Sequence, residues 1–345
     1  MDLYQQIADI IVDFRRGEIE PRTSVMVSNF TDNVQRVCSS WMRTAERQLF
    51  LEGLRDAFQQ HYWSELRTKV ELSRITPQLV GKYDDKTLAV LKLQEQKSSQ
   101  ANLVGELSLG EVPGPIFVSV PEGYESLLYI DDASFTGRTL VRHLESIFVQ
   151  IKNSPRRPSQ LLIWHLCEYS QDAVKSLDEN RKRLVDLGIK VTFIQVNKFL
   201  HSANGDRSPG ALVPSKKYAT EPYVLRFLKS TSAFQSIAKS PSLWRDPKNK
   251  FTDEVFKSVD QRDIIEHAFL EVGCWLRAKT PNWNSLMRPF GFVSNNKEES
   301  LGFGSMFCTY HNSANTSPLA LWWGDPKAKG TGLSHWDPLL PRRPQ

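Results

Sequence analysis

Between residues 86 and 196 the chain repeats one pattern, a short run dominated by apolar residues followed by a segment of helical or loop character. The runs are Thr87–Leu93, Pro115–Val120, Leu127–Asp132, Gln160–Tyr169 and Ile189–Val196. A strand with one wet face alternates apolar and polar residues; a continuous apolar run does not, and has to be covered on both sides. Strands of that kind, alternating with helices, fold as a parallel sheet between helical layers. The expectation is an α/β chain on a mostly parallel sheet. The intervening segments support it. In "TGRTLVRHLESIFVQI", Leu140, Leu144, Ile147 and Ile151 fall on one helical face, and Ser170 to Gly188 reads as a helix with Ser170 as N-cap and Gly188 as C-cap.

The flanks have a different character. Leu3, Ile7, Ile10, Ile11 and Phe14 recur at helical spacing, as do Val34, Val37, Cys38 and Trp41, and then Leu51, Leu54, Phe58 and Tyr62. After Asn197 the alternation fades. His201–Gly210 reads as a loop, residues 221–280 as mostly helical with Asp253–Leu276 the clearest part, and Gly302–Asn312 and Ser317–Gly324 as two strands. The expected organisation is a helical module over 1–78, the sheet-bearing core over 79–232, and a C-terminal α+β hood over 233–345.

Composition narrows the class. No apolar run approaches the roughly 20 residues that span a bilayer, and the N-terminus "MDLYQQIADIIVDF" carries acids where a secretory signal would be basic. These point to a cytoplasmic protein without a membrane partner. Cys38, Cys167, Cys274 and Cys308 are far apart and form no CxxC, which reads as buried reduced thiols rather than a zinc site. A net charge of +5 suits a phosphate-rich ligand or nucleic acid without requiring either. "SPRRP" (Ser154–Pro158) and "ENRKRL" (Glu179–Leu184) read either as nucleic-acid contacts or as solvated surface.

The chemistry concentrates in "LLYIDDASFTGRT", Leu127 to Thr139. Ligands of an open α/β sheet bind beyond the carboxyl ends of its strands, which is where Asp131 and Asp132 fall. Two adjacent carboxylates near a buried edge repel each other unless something neutralises them. The turn that follows enters a helix, whose free N–H groups and dipole favour a phosphate. Thr136, Arg138 and Thr139 add donors, and Gly137 lets the backbone approach closely. Acids for hydroxyls beside an amide nest for phosphate match a ribose 5-phosphate, with Mg²⁺ as a further neutralising partner.

This stretch resembles the 5-phosphoribosyl 1-pyrophosphate (PRPP) signature of type I phosphoribosyltransferases: four apolar residues, two acids, then small and hydroxyl residues ending in T-G-x-T. The resemblance implies a type I phosphoribosyltransferase sheet. It implies that Asp131 and Asp132 hold the ribose hydroxyls and Mg²⁺, directly or through water. It also implies that Ser134, Thr136, Gly137, Arg138 and Thr139 hold the 5′-phosphate. Phe135 departs from the pattern, being bulkier than the usual occupant. The family also needs a diphosphate loop after an earlier strand. "EQKSSQ" (Glu95–Gln100) stands in that place and offers Lys97, Ser98 and Ser99, although such a sequence is also common in ordinary solvated loops. Gly105–Gly114 would then be the closing loop. The implied reaction is displacement at the anomeric carbon, with Mg²⁺ organising the diphosphate. His143, His165 and Glu168 lie near the sheet and read as structural.

The C-terminal aromatics Tyr310, Trp322, Trp323 and Trp336, with His311, Asn312 and His335, read either as a packed aromatic core or as a hood recognising an acceptor base, through Tyr310, Asn312, Trp322 and Trp336. Taken with "VQRVCSSWMRTAERQLFLEGLRDAFQQHYWS" and "FGSMFCTYHNSANTSPLALWW", the layout is similar to phosphoribosyltransferase-like effectors of bacterial conflict systems, some of them retron-associated. That resemblance implies an antiphage toxin effector with a reverse transcriptase, its RNA-linked DNA and a small winged-helix protein as partners. An active pentosyltransferase, a non-catalytic nucleotide- or PRPP-sensing module, and a biosynthetic enzyme all remain compatible with the residues.

Overall fold

The computed structural model describes residues 1–80, 83, 86–94, 98–109, 114–135, 138–169, 173–199, 211–230, 244–245, 256–280, 284, 286–292, 300–324 and 333–342. Lys97, Thr136 and Gly137, the side chains of Ser99 and Arg138, and the Ser170 cap lie outside the described residues. The chain divides into two compact units, residues 65–199 and residues 1–64 with 200–345.

The first three helices are α1 (Leu3–Ile10), α2 (Ser24–Val37) and α3 (Thr44–His61), followed by the short strand β1 (Tyr62–Trp63). The 65–199 unit then runs α4 (Glu65–Val80), β2 (Leu88–Leu91), α5 (Ser99–Leu109), β3 (Ile116–Phe117), β4 (Ser126–Ser134), α6 (Arg138–Asn153), β5 (Gln160–Tyr169), α7 (Ala173–Asp186) and β6 (Lys190–Phe199). Strands β2 to β6 form one sheet in the order β3-β2-β4-β5-β6, and every pairing in it is parallel. This is the α/β architecture that the continuous apolar runs imply.

Each layer follows from its residues. Ala89, Leu91, Leu127, Tyr129, Leu161 and Ile163 face Leu140, Leu144, Ile147 and Ile151 of α6 and Leu177 and Leu184 of α7 in one buried cluster. The crossover from β2 through α5 to β3 runs the opposite way along the sheet from β4 through α6 to β5. Right-handed connections therefore put α5 on the other face, where it packs on β4 with Leu103, Val104 and Leu107 buried. Helix α7 stops at Gly188, whose φ of +85° is costly for other residues. There the Ile189 N–H reaches the Leu184 carbonyl at 3.1 Å and the Gly188 N–H reaches that of Val185 at 2.8 Å. Residues 105–109, read from sequence as part of a closing loop, instead belong to α5. Their neighbours 110–113 lie outside the described residues.

In the other unit the N-terminal helices and the C-terminal elements share one core. The helix Val259–Lys279 runs through it, buried on all sides from Ile265 to Leu276 and capped by Ser258 Oγ, which accepts the Gln261 N–H at 3.1 Å. Phe50 packs edge-on against Phe269, with ring centroids 5.8 Å apart. His267 lies between the rings of Trp41 (3.9 Å) and Tyr218 (3.7 Å), nearly parallel to both. Strand β1 pairs in parallel with Cys308–Thr309, which turns through Tyr310 and His311 into antiparallel Asn312–Ser313.

Two expectations are corrected here. Within Gly302–Asn312 only Cys308–Thr309 and the first residue of Asn312–Ser313 are strand. Ser317–Gly324 is not a strand, because Leu319–Trp322 forms a short helix after Pro318. All four of its side chains are buried, and a run that is apolar on every side has no periodicity to separate helix from strand.

Candidate active site

Strand order reverses between β2 and β4, since β2 connects outward to β3 while β4 connects the other way to β5. The crevice at such a reversal, beyond the carboxyl ends of the strands, is where an open α/β sheet takes its ligands. The β2–β4 ladder ends at the pair Leu91–Tyr129, whereas β4 continues against β5 to the pair Ser134–Glu168. The acids and Ser134 therefore ride on the part of β4 that projects past β2.

Period-two alternation sends the two acids to opposite faces of the sheet. Asp131 lies on the α6 side with Tyr129 and is only 5% exposed. Its Oδ2 accepts the Gln94 side-chain amide at 2.7 Å and the Tyr129 hydroxyl at 3.1 Å, and its Oδ1 accepts the Asp132 N–H at 3.0 Å. Burial, followed by the neighbouring Asp132 charge, pushes the Asp131 carboxyl well above the ordinary aspartate range. Asp132 is half-buried, and its Oδ1 accepts the Ala133 N–H at 2.8 Å.

Behind Asp131 the polar contacts continue. The Tyr129 hydroxyl meets His143 Nδ1 at 2.9 Å. With Asp131 ionised, Tyr129 donates to it, so the phenol oxygen accepts from a protonated Nδ1 and the tautomer of His143 follows. Burial, helped by Arg142, lowers the His143 pKa to about 4. His165 pairs with Asp131 in the β4–β5 register, and its ring meets Tyr129 edge-on at 6.2 Å. Burial also lowers its pKa to about 4, and its Nδ1 has no hydrogen-bond partner among the described residues.

The turn after β2 approaches the same place. Ser98 Oγ accepts the Ala101 N–H at 3.1 Å at the start of α5. Gln100, fully buried, accepts the N–H groups of Leu93 and Gln94, both at 2.8 Å, and donates to the Ile130 carbonyl at 2.9 Å. At the far end of β4 the Ser134 hydroxyl is buried and has no hydrogen-bond partner among the described residues. An orphaned buried hydroxyl is costly. It stands just before the N-terminus of α6, where Thr139 is exposed in the first turn.

Of the residues singled out from sequence, Asp131, Asp132, Ser134, Ser98 and Thr139 are therefore placed on neighbouring elements around this crevice. Gln94, Gln100 and Tyr129 were not anticipated. Tyr129 carried a signal, a polar tip two residues before Asp131 in an otherwise aliphatic run. Gln94 and Gln100 carried none, because glutamine at a strand end or in the first turn of a helix is unremarkable.

The C-terminal candidates belong to the other unit. Trp322 is buried with its indole N–H donating to the Ser317 carbonyl at 2.8 Å, and Trp336 is buried with its N–H on the Trp323 carbonyl at 3.0 Å. The Trp336 ring packs on Phe30 at 5.8 Å and Trp275 at 5.7 Å. Tyr310 is buried, and Asn312 is half-buried. The basic runs are surface features: Arg156, Arg157, Arg181, Lys182 and Arg183 are exposed, with Arg183 lying 4.1 Å over the Phe148 ring.

No cluster of three or more metal-ligating side chains is present among the described residues, so a cation at the crevice would draw on the acid pair and its own ligand. Asp131 and Asp132 supply carboxylate oxygens of the kind Mg²⁺ prefers, and Asp132 is the more open of the two. No helix among the described residues is long and apolar enough to cross a membrane.

A family model described as PRTase-CE matches residues 27–342. No curated protein matches the chain. Among solved structures, a hypoxanthine-guanine-xanthine phosphoribosyltransferase is similar over 39% of this chain and 76% of its own, at 13% identity and a TM-score of 0.26. A hypothetical protein from Neisseria gonorrhoeae with bound ppGpp is similar over 41% and 88%, at 10% identity and a TM-score of 0.26. The Helicobacter pylori xanthine-guanine-hypoxanthine phosphoribosyltransferase is similar over 41% and 89%, at 16% identity and a TM-score of 0.23.

Proposed function

The chain belongs to the PRTase-CE family, and from that premise we propose that it binds PRPP or a related ribose phosphate at the β2–β4 crevice and acts as a phosphoribosyltransferase-type enzyme. One observation carries the reading. The buried Ser134 hydroxyl, without a hydrogen-bond partner among the described residues, ends the strand that bears Asp131 and Asp132, four residues before the start of α6. A phosphate there would satisfy the hydroxyl and the first-turn N–H groups together, while the acids receive the sugar hydroxyls two and three residues back along the strand.

In this reading Asp131 and Asp132 accept hydrogen bonds from the 2′ and 3′ hydroxyls. Ser134 and the residues Thr136 to Thr139 hold the 5′-phosphate, and Lys97, Ser98 and Ser99 face the diphosphate. Asp132 and Asp131 would hold Mg²⁺, which when bound neutralises charge on the leaving diphosphate. The bond from the anomeric carbon to the diphosphate oxygen breaks, a bond from that carbon to the acceptor forms, and the diphosphate leaves with the electron pair. The chain's own task is to position the sugar and exclude water. Burial of Trp322 and Trp336, with both N–H groups engaged on backbone, favours a packing role for those two over acceptor recognition. We further infer an antiphage effector role within a conflict system, retron-associated, with a reverse transcriptase, RNA-linked DNA and a winged-helix protein as partners. The support for that finer reading is the resemblance of the two terminal motifs.

Calorimetric titration of PRPP into the full chain, with and without Mg²⁺, tests the site. Mg²⁺-dependent binding that is lost in the folded Asp131→Asn, Asp132→Asn variant supports it; equal binding by that variant refutes it. Diphosphate release on adding candidate nucleotides, bases and RNA then separates turnover from ligand sensing.

A further inference from the structure

We propose that Gln100 is a positioning residue for Asp131, acting through Gln94; the proposal rests on the reading of Asp131 as a sugar-hydroxyl ligand. Beyond the pair Leu91–Tyr129 no further ladder pair joins β2 and β4. The Leu93 N–H and the Ile130 carbonyl lie on the facing edges of β2 and β4 and would otherwise lose their cross-strand partners; the Gln94 N–H, one residue on, falls outside that ladder. The single amide of Gln100 serves all three, at 2.8, 2.8 and 2.9 Å. A fully buried glutamine is expensive unless its polar atoms are engaged, and here they are engaged on the two chains that bound the crevice.

The brace has a consequence one residue on in each chain. Ile130 immediately precedes Asp131, and Gln94 is itself held by its backbone. With both backbones fixed, the Gln94 amide reaches Asp131 Oδ2 at 2.7 Å. Together with Tyr129 and the Asp132 N–H it sets the direction in which the carboxylate presents its remaining lone pairs. Without the brace, Gln94 is free to turn away and Asp131 loses one of its two side-chain donors. Gln100 thereby shapes the sugar site without touching a ligand.

The test uses the full chain. In the wild type, the Leu93 and Gln94 amides should be protected from hydrogen exchange although no strand pairs with them; rapid exchange at both overturns the brace. The Asp131 ¹³Cγ resonance in ligand-free protein should move in the same direction in Gln100→Met and in Gln94→Leu. PRPP affinity should fall about tenfold in each, and the double variant should be no weaker than Gln100→Met alone. A Gln100→Met protein that melts earlier yet keeps the wild-type Asp131 resonance assigns Gln100 to stability alone and overturns the proposal. If Gln100→Met does not fold, Gln94→Leu carries the resonance test, and an unmoved Asp131 signal there overturns it equally. Failure of the wild type to bind PRPP counts against the proposed function; the exchange and resonance measurements need no ligand and still decide the brace.

Discussion

Gln94 donates its side-chain amide to Asp131 at 2.7 Å, across the carboxyl ends of two neighbouring parallel strands. The contact lies at the point where the sheet's strand order reverses. It joins the turn after β2 to the acid pair on β4, the two segments that a ribose diphosphate ligand would have to engage at once. Three donors converge on that carboxylate, from Gln94, Tyr129 and the Asp132 N–H, so its orientation is set by the protein before any ligand arrives.

Removing both acids should abolish binding without unfolding the chain. Asp131→Asn with Asp132→Asn keeps side-chain shape and relieves the repulsion between neighbouring charges. The loss of two charged acceptors should weaken a ribose-phosphate ligand by at least about a hundredfold. Calorimetry on protein with an unchanged circular dichroism spectrum checks this.

Ser134→Ala should separate stability from binding. The hydroxyl has no partner among the described residues, so deleting it should leave the urea midpoint unchanged or raise stability by up to about 1 kcal/mol. The same change should weaken PRPP about tenfold if the hydroxyl receives the phosphate. A clear loss of stability would show that the hydroxyl is engaged in the folded protein.

Tyr129→Phe removes a buried donor to Asp131 and leaves His143 Nδ1 without its partner. Loss of about 1–3 kcal/mol in equilibrium unfolding is expected, together with a shift of the His143 ring nitrogen resonances. Unchanged resonances would place the imidazole away from the phenol.

Stability should fall with acid in a defined window. His143 and His165 have pKa values lowered to about 4 in the folded protein, against about 6.5 in an unfolded chain. Above that value both states are neutral. Between about 6.5 and 4 the unfolded state takes up protons that the native state refuses, so stability drops as pH falls and levels off below about 4. The raised carboxyl of Asp131 acts in the opposite sense, binding a proton more readily when folded. His165→Phe should flatten the decline between pH 6.5 and 4 in denaturant titrations; an equally steep decline would remove His165 as a source.

Trp336→Ala should cost about 3–5 kcal/mol, the usual penalty for emptying a large aromatic site. The ring fills space between Phe30 and Trp275, and its N–H is bound to the Trp323 carbonyl. A variant with wild-type melting but altered acceptor choice would return Trp336 to a recognition role.

What the sequence determined by itself is what depends on neighbours along the chain. Continuous apolar runs and the stripe Leu140, Leu144, Ile147, Ile151 report local period and burial, so the parallel sheet and α6 were legible, as was the Gly188 helix end. The run of two acids followed by small and hydroxyl residues is likewise contiguous in sequence, from the end of β4 to the start of α6. Other features needed the third dimension. Periodicity says nothing of strand order, so the reversal between β2 and β4 appears only once crossovers are packed. Leu319–Trp322 has no polar face from which to read a helix. The Gln94–Asp131, Gln100–Ile130 and Tyr129–His143 bonds link residues 37, 30 and 14 positions apart. A hydrogen bond of that kind has no local signature, because it is made by two backbones being brought side by side.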